Sequence, residues 1–130
     1  MIQHMYPTEL RYNEEHTWLR LEGDNLGRVG ITQYAQEQLK DVVLVELPEV
    51  GTRVTHMEPF GVIESVKATN DLYSPVTGEV VEVNQAVVSQ PALVNQDPYK
   101  KGWMILVKIA SPAEIDVLQT AKDYQDRIRR

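Results

Sequence analysis

Side chains able to do chemistry are sparse in this 130-residue chain, and one of them is unusually placed. Lys67 stands alone within residues 61–80, between two strand-like stretches, where a tight hairpin exposes it. A lysine meant for covalent loading must project from a rigid turn, with small neighbours that let a modifying enzyme approach. Ser65 and Ala68 meet that need, and Glu64 and Asp71 give such an enzyme charges to orient on. The other candidates are weaker. His4, His16 and His56 match no metal-ligand spacing and read as surface or packing histidines. Glu14 and Glu15 are adjacent acids, which point apart and read as solvated. No nucleophile elbow or phosphate-cradling glycine pattern occurs. The absence of cysteine excludes thiolate catalysis, disulfides and thiolate metal sites.

The elements that must position Lys67 read as many short strands followed by one helix. Trp18 to Glu22 alternates apolar and polar, Gly23-Asp24-Asn25 supplies a turn, and Gly27 to Ile31 is the returning strand. Thr32 caps a short helix near 32–39, with Ile31, Ala35 and Leu39 on one face. Val42 to Leu47 is almost entirely apolar and predicts a strand buried on both faces, ended by Pro48 to Gly51. Phe60 to Glu64, Gly78 to Val83 and Trp103 to Ile109 are further strands, the last entered from a loop over Asn95 to Tyr99. A C-terminal helix near 112–128 is predicted from Ser111 as cap, Pro112 at the first position and Glu114 completing a capping box. Ile115, Leu118, Ala121 and Ile128 form its apolar face, with Arg127, Arg129 and Arg130 at its negative end. Trp18 and Trp103 read as core.

The length suits one domain spanning 1–130. Hydrophobic residues are 42% and charged residues 25%, which places the chain among ordinary globular proteins. The formal net charge of −6 argues against nucleic acid or an anionic membrane surface as ligand. The start of the chain has neither the basic residues nor the apolar run of a signal peptide, and no stretch is long enough to cross a membrane as a helix. The expectation is a cytoplasmic location if the source is bacterial.

The segment Glu64-Ser65-Val66-Lys67-Ala68 resembles the lipoylation motif of the H protein of the glycine cleavage system, with Lys67 at the modified position. Glu64, three residues before the lysine, and Gly78, eleven after it, match the family's pattern for recognition by lipoylating enzymes. The resemblance extends through Val29-Gly30-Ile31-Thr32, Asp41-Val42-Val43 to Glu46-Leu47-Pro48, Ser74-Pro75, Leu93-Val94-Asn95, Pro98-Tyr99 and Gly102-Trp103. Together these cover roughly residues 10–128.

The resemblance implies a mainly β, lipoyl/biotinyl-type barrel-sandwich hybrid of two antiparallel sheets, with the lysine on a hairpin. It implies a non-catalytic, monomeric carrier with lipoate in amide linkage to Lys67, recognised by lipoylating enzymes through Glu64, Ser65, Val66, Ala68 and Gly78. Its partners would be a pyridoxal-phosphate glycine decarboxylase, a tetrahydrofolate-dependent aminomethyltransferase and an FAD-containing dihydrolipoamide dehydrogenase. The aminomethyl group would pass from the first to the second, and the dithiol to the third. Lack of cysteine suits such a carrier, because a thiol beside a dithiolane invites mixed disulfides. Ile31, Leu39 and Asp71 are expected to line a groove that shelters the arm. The chain departs from the family at Thr17, where an acid is common, and at Gln38, where some members have histidine. Biotin carriers, with Met around the lysine, and the shorter dehydrogenase lipoyl domains fit less well. A lipoyl-relay or unmodified interaction paralogue without aminomethyl transfer is the alternative function.

Overall fold

The computed structural model describes residues 5–129, so His4 and Arg130 lie outside the described residues. Strands β1 (Arg11–Tyr12), β2 (Thr17–Gly23) and β3 (Leu26–Ile31) lead into helix α1 (Gln33–Leu39). Then follow β4 (Val42–Glu46), β5 (Arg53–Val54), β6 (Pro59–Ser65), β7 (Thr69–Tyr73) and β8 (Gly78–Val83). Helices α2 (Gln85–Ser89) and α3 (Ala92–Gln96) precede β9 (Ile105–Ile109), and α4 (Ala121–Ile128) ends the described chain. The strands form two antiparallel sheets, of order β1-β2-β3-β9-β8-β5 and β4-β6-β7. Both sheets are open at their edges rather than closed into a barrel.

The β2–β3 hairpin turns at Asp24 and Asn25, both at positive φ as a tight two-residue hairpin loop requires. The inner faces of the sheets supply the core, with Val29, Ile105 and Val107 from one meeting Val45, Ile63 and Leu72 from the other. A second apolar cluster, Leu10, Tyr12, Trp18, Ala121 and Tyr124, joins the start of the chain to α4. Trp18 is fully buried there, whereas Trp103 is half-buried with the Arg28 guanidinium 4.3 Å above its ring.

Helix α1 starts as its sequence predicts, the Thr32 hydroxyl accepting from Ala35 N–H at 3.2 Å. Two other expectations are corrected. β4 is buried on one face only: Val42 and Val45 point inward, while Val43 and Leu44 are 49% and 39% exposed. It is an edge strand, and a bulge against β6 between Val42 and Leu44 turns two successive side chains outward.

The C-terminal helix does not run from Pro112 to Ile128. Pro112–Val117 is a 3-10 turn, and the Ser111 side chain makes no capping bond. Glu114, the expected capping-box acid, instead accepts from Thr77 N–H at 2.7 Å and from its hydroxyl at 2.8 Å. Two well-aligned donors outbid one helix N–H for the carboxylate. Gln119 then pairs with Tyr12 as an extended bridge, and the helix restarts under a new cap, Thr120, accepting from Asp123 N–H. The apolar face is thereby divided: Ile115 and Leu118 join the main core, Ala121 and Ile128 the second cluster.

Gly78 begins β8 at a point where a side chain has no room. A Cβ there would lie 2.1 Å from the Lys108 carbonyl oxygen and 2.7 Å from the Val107 side chain on β9. Gly78→Ala is therefore expected to cost about 2 kcal/mol or more and to lower Tm by several degrees in a thermal melt. A melt superimposable on that of the parent protein would refute this tight β8–β9 approach.

Candidate functional site

Lys67 occupies the apex of the β6–β7 hairpin, where Glu64 pairs with Thr69 and Val66 and Lys67 form the loop. Two-residue loops usually take primed turns with positive φ, the province of Gly and Asn. Neither Val66 nor Lys67 has positive φ, so the turn is closed by other means. Ser65 N–H donates to the Ala68 carbonyl at 2.8 Å, and the Ser65 hydroxyl accepts from Lys67 N–H at 3.1 Å and Ala68 N–H at 3.0 Å. A serine at the first turn position holding the N–H groups two and three residues on is a strong local staple. Val66 N–H also donates to the Asp41 carbonyl at 3.1 Å, tying the turn to the α1–β4 connection. Val66 itself is 72% exposed, so the apex presents an apolar residue and a primary amine side by side.

The Lys67 ammonium reaches the Gln38 carbonyl at 3.3 Å. That oxygen belongs to the last turn of α1, which has no intrahelical partner to offer it and welcomes a positive charge. Beside Lys67 opens a groove of about 670 Å³. One wall is the edge strand β7 and the other is α1, so Ile31, Leu39 and Asp71 all border the same space as Lys67. Gln38 and Thr17 border it too. Among the residues singled out from sequence, Glu64, Ser65, Val66 and Ala68 gather at the turn, whereas Gly78 lies in the other sheet against β9. The close approach to β9 accounts for glycine at that position.

The far end of the groove is built by the loop from Asn13 to Thr17. The buried Asn13 side chain accepts from Glu15 N–H at 2.9 Å and Thr17 N–H at 3.0 Å, and donates to the Tyr73 carbonyl at 3.3 Å. The Thr17 hydroxyl donates to the same carbonyl at 2.8 Å and is thereby spent. The carboxylates bordering the groove are instead Glu15 and Asp71. His16, at φ 71°, places its ring 4.8 Å from that of Tyr34, with Nδ1 2.8 Å from the Tyr124 hydroxyl. Burial, and secondarily the Arg127 guanidinium, hold this imidazole at a pKa of about 4, so it is neutral at pH 7. Read by spacing alone, His16 was an unremarkable histidine; a positive φ shows itself only in the folded chain.

A mainly β body thus places Lys67 on an exposed hairpin beside a groove. The profile of the "Glycine cleavage H-protein" family matches residues 10–130, and the chain belongs to that family. Its members are carrier subunits rather than enzymes, and so is this chain. The chain is 56% identical over 122 residues to the glycine cleavage system H protein of Geobacillus kaustophilus, covering 94% of this chain and 95% of that one. It is 52% identical over 119 residues to the H protein of Carboxydothermus hydrogenoformans, covering 92% and 91%. The crystal structure of the H protein from Mycobacterium marinum superposes with a TM-score of 0.88 at 39% identity, over 95% of this chain and 99% of that one.

The His16 environment sets a pH dependence. An imidazole held near 4 when folded, against its ordinary 6.5, leaves the unfolded chain binding more protons between those values. Its contribution is complete above pH 6.5 and lost as pH falls towards 4. Allowing for solvent screening of a partly exposed group, the loss is about 1–2 kcal/mol. Denaturant melts of the parent protein and of His16→Asn should diverge over that window, the variant showing the smaller acid slope; parallel slopes would contradict the buried neutral imidazole.

Proposed function

We propose that the chain is a lipoyl-bearing shuttle of the glycine cleavage system, modified at Lys67, and that 1–130 acts as one carrier domain. The single observation that carries this is the placement of Lys67 at the apex of a stapled hairpin, beside a groove able to receive a long arm. The residues fit the group. The Lys67 amine is exposed, and its hydrogen bond, to the Gln38 carbonyl, is one that acylation gives up at little cost. Glu64, Val66 and Ala68 make the surface that a lipoylating enzyme reads, the buried Ser65 sets its shape from within, and Gly78 keeps β8 seated on β9. Ile31 and Leu39 form an apolar floor to the groove and Asp71 part of its polar rim, which gives a resting arm cover on one side.

When attached, lipoyl supplies a dithiolane that takes up and gives off the aminomethyl cargo and cycles between disulfide and dithiol. The chain's own contribution is to root the arm rigidly, raise its effective concentration at docked active sites and cover it in transit. The partners in this reading are a pyridoxal-phosphate glycine decarboxylase, a tetrahydrofolate-dependent aminomethyltransferase, an FAD dihydrolipoamide dehydrogenase and lipoylating enzymes. The carrier works as a monomer and, in a bacterial source, in the cytoplasm. The acidic surface steers it toward basic docking faces, so association rates should fall as salt is raised.

The test is peptide mass spectrometry after expression with lipoate supplied, and again after incubation with lipoate, ATP and a purified lipoylating enzyme, with Lys67→Ala as control. A lipoyl increment on the Lys67 peptide, absent from the variant, is expected, together with support of glycine–bicarbonate exchange. A biotinyl increment would reassign the chain to carboxylase chemistry, and no increment would withdraw the shuttle. Lipoylation without exchange would identify the relay paralogue, the reading that Thr17 in place of the family's acid favours.

Ser65→Ala removes the hydroxyl that accepts from two turn N–H groups. It should lower the lipoylation rate about five- to tenfold, with a loss of only about 1 kcal/mol in global stability. An unaltered rate would show that the staple does not matter to presentation.

A further inference from the structure

Lys40, which ends α1, has φ 66° and ψ −145°, a combination outside the left-handed helical well that glycine alone adopts freely. A residue with a Cβ stays there only when its surroundings over-determine it. Asn95, on α3, does so. Its amide nitrogen donates to the Lys40 carbonyl at 2.7 Å and to the Gln36 side-chain oxygen at 3.0 Å, and its oxygen accepts from Val42 N–H at 2.9 Å. The backbone partners fix which way the amide faces, since the reverse would set oxygen against carbonyl and N–H against N–H. Asn95 thus meets the chain on both sides of Asp41 as a neighbouring strand would.

In extended chain, the carbonyl of one residue and the N–H of the next but one lie on the same side, and the carbonyl between them lies on the other. With Lys40 and Val42 held by Asn95, the Asp41 carbonyl faces away from α3 and accepts from Val66 N–H in the lysine turn at 3.1 Å. The Ser65 bonds lie within the hairpin and set the shape of the turn; the Asp41 bond ties its apex to the α1–β4 connection. A Lys40 relaxed to a common conformation would rotate the peptide that follows and carry the Asp41 carbonyl away from Val66. We propose that Asn95 is a positioning residue for acylation of Lys67. By holding Lys40 in its strained backbone, it keeps the Asp41 carbonyl on Val66 N–H, and so keeps the amine where a modifying enzyme meets it. The assignment deepens the carrier reading above and rests on it.

Four substitutions separate this role from simple packing. Asn95→Ala removes the clasp, Asn95→Asp removes only its donors, and Lys40→Gly removes the strain that the clasp opposes. Lys40→Ala removes the charge but keeps the Cβ, and is the control. In the unmodified protein, NMR-detected hydrogen exchange at the Val66 amide should quicken about tenfold in Asn95→Ala, the equivalent of one lost hydrogen bond, with the β6–β7 ladder amides unchanged. With lipoate, ATP and a purified lipoylating enzyme, the KM for the carrier should rise about five- to tenfold at unchanged kcat, because a competent turn is populated for a smaller share of the time. Lys40→Gly in the Asn95→Ala background should return both readings to within about twofold of the parent, and Lys40→Ala should not. Loss of packing alone is not repaired by taking away a further side chain. Where Asn95→Ala does not fold, Asn95→Asp with the same rescue gives the reading. Unchanged exchange at Val66, no rescue by Lys40→Gly, or a KM unmoved while Val66 exchange quickens each overturns the role of Asn95 and leaves the carrier reading standing. A parent protein that takes no lipoyl on Lys67 overturns the carrier reading, and this assignment with it.

Discussion

The sheet that bears Lys67 has three short strands, and such a sheet holds its shape in water only by burying a face. Val45, Ile63 and Leu72 supply that face, one residue from each strand, and they pack on the inward side chains of the six-stranded sheet. This apolar contact fixes the hairpin in space. With it in place, the polar bonds around the groove need only adjust details: Ser65 closes the turn, Val66 ties it to Asp41, and Asn13 and Thr17 clasp the end of β7. Each of these is worth about a kilocalorie, and none would survive in a sheet free to slide.

The groove stays open because its walls belong to different parts of the molecule. β7 is an edge strand, and α1 is carried on the connection between the two sheets. Tyr124 holds the α1 side from behind, bonded to the Thr32 cap and to His16 and stacked 4.8 Å from Tyr12. Helix α4, far along the chain from the hairpin, is thus part of the groove's support. Its late start follows from the same economy: Glu114 is taken by Thr77 and Gln119 by Tyr12, so the chain becomes helical only after those two ties to the β body are made.

What could be read from the sequence follows from the range of the interactions involved. Helix α1 was legible because cap, period and length are local, and so was the β2–β3 turn at Asp24 and Asn25. An exposed turn at Lys67 was legible because small residues and charges surround it within a few positions, although the strand that returns from it was not. β7 was missed because its outward residues, Thr69, Asn70 and Asp71, are polar and solvent-facing, with no alternation to betray a strand. Helices α2 and α3 were missed because five residues do not make a period. The capping box at Ser111 misled because Thr77, distant in sequence, competes for the same acid. His16 and Asn13 were illegible as site residues, since their roles depend on a left-handed backbone and on contacts with β7 and α4. Ile31, Leu39 and Asp71, expected together from resemblance alone, border one groove, and their service to an arm belongs to the proposed function.

The lysine turn contains no glycine and no left-handed residue, and four of its hydrogen bonds involve Ser65. In mechanical terms the apex is a clamped support rather than a pivot. Anything fixed to Lys67 then sweeps a volume centred on a stationary point, so its reach is a property of the arm's own bonds. Partners that dock on the body meet the same sphere from different directions, and none can lengthen it by bending the hairpin. Competition among them becomes a matter of where each places its entrance on that sphere, which makes the docking orientation, more than the tightness of docking, the quantity that selection can tune.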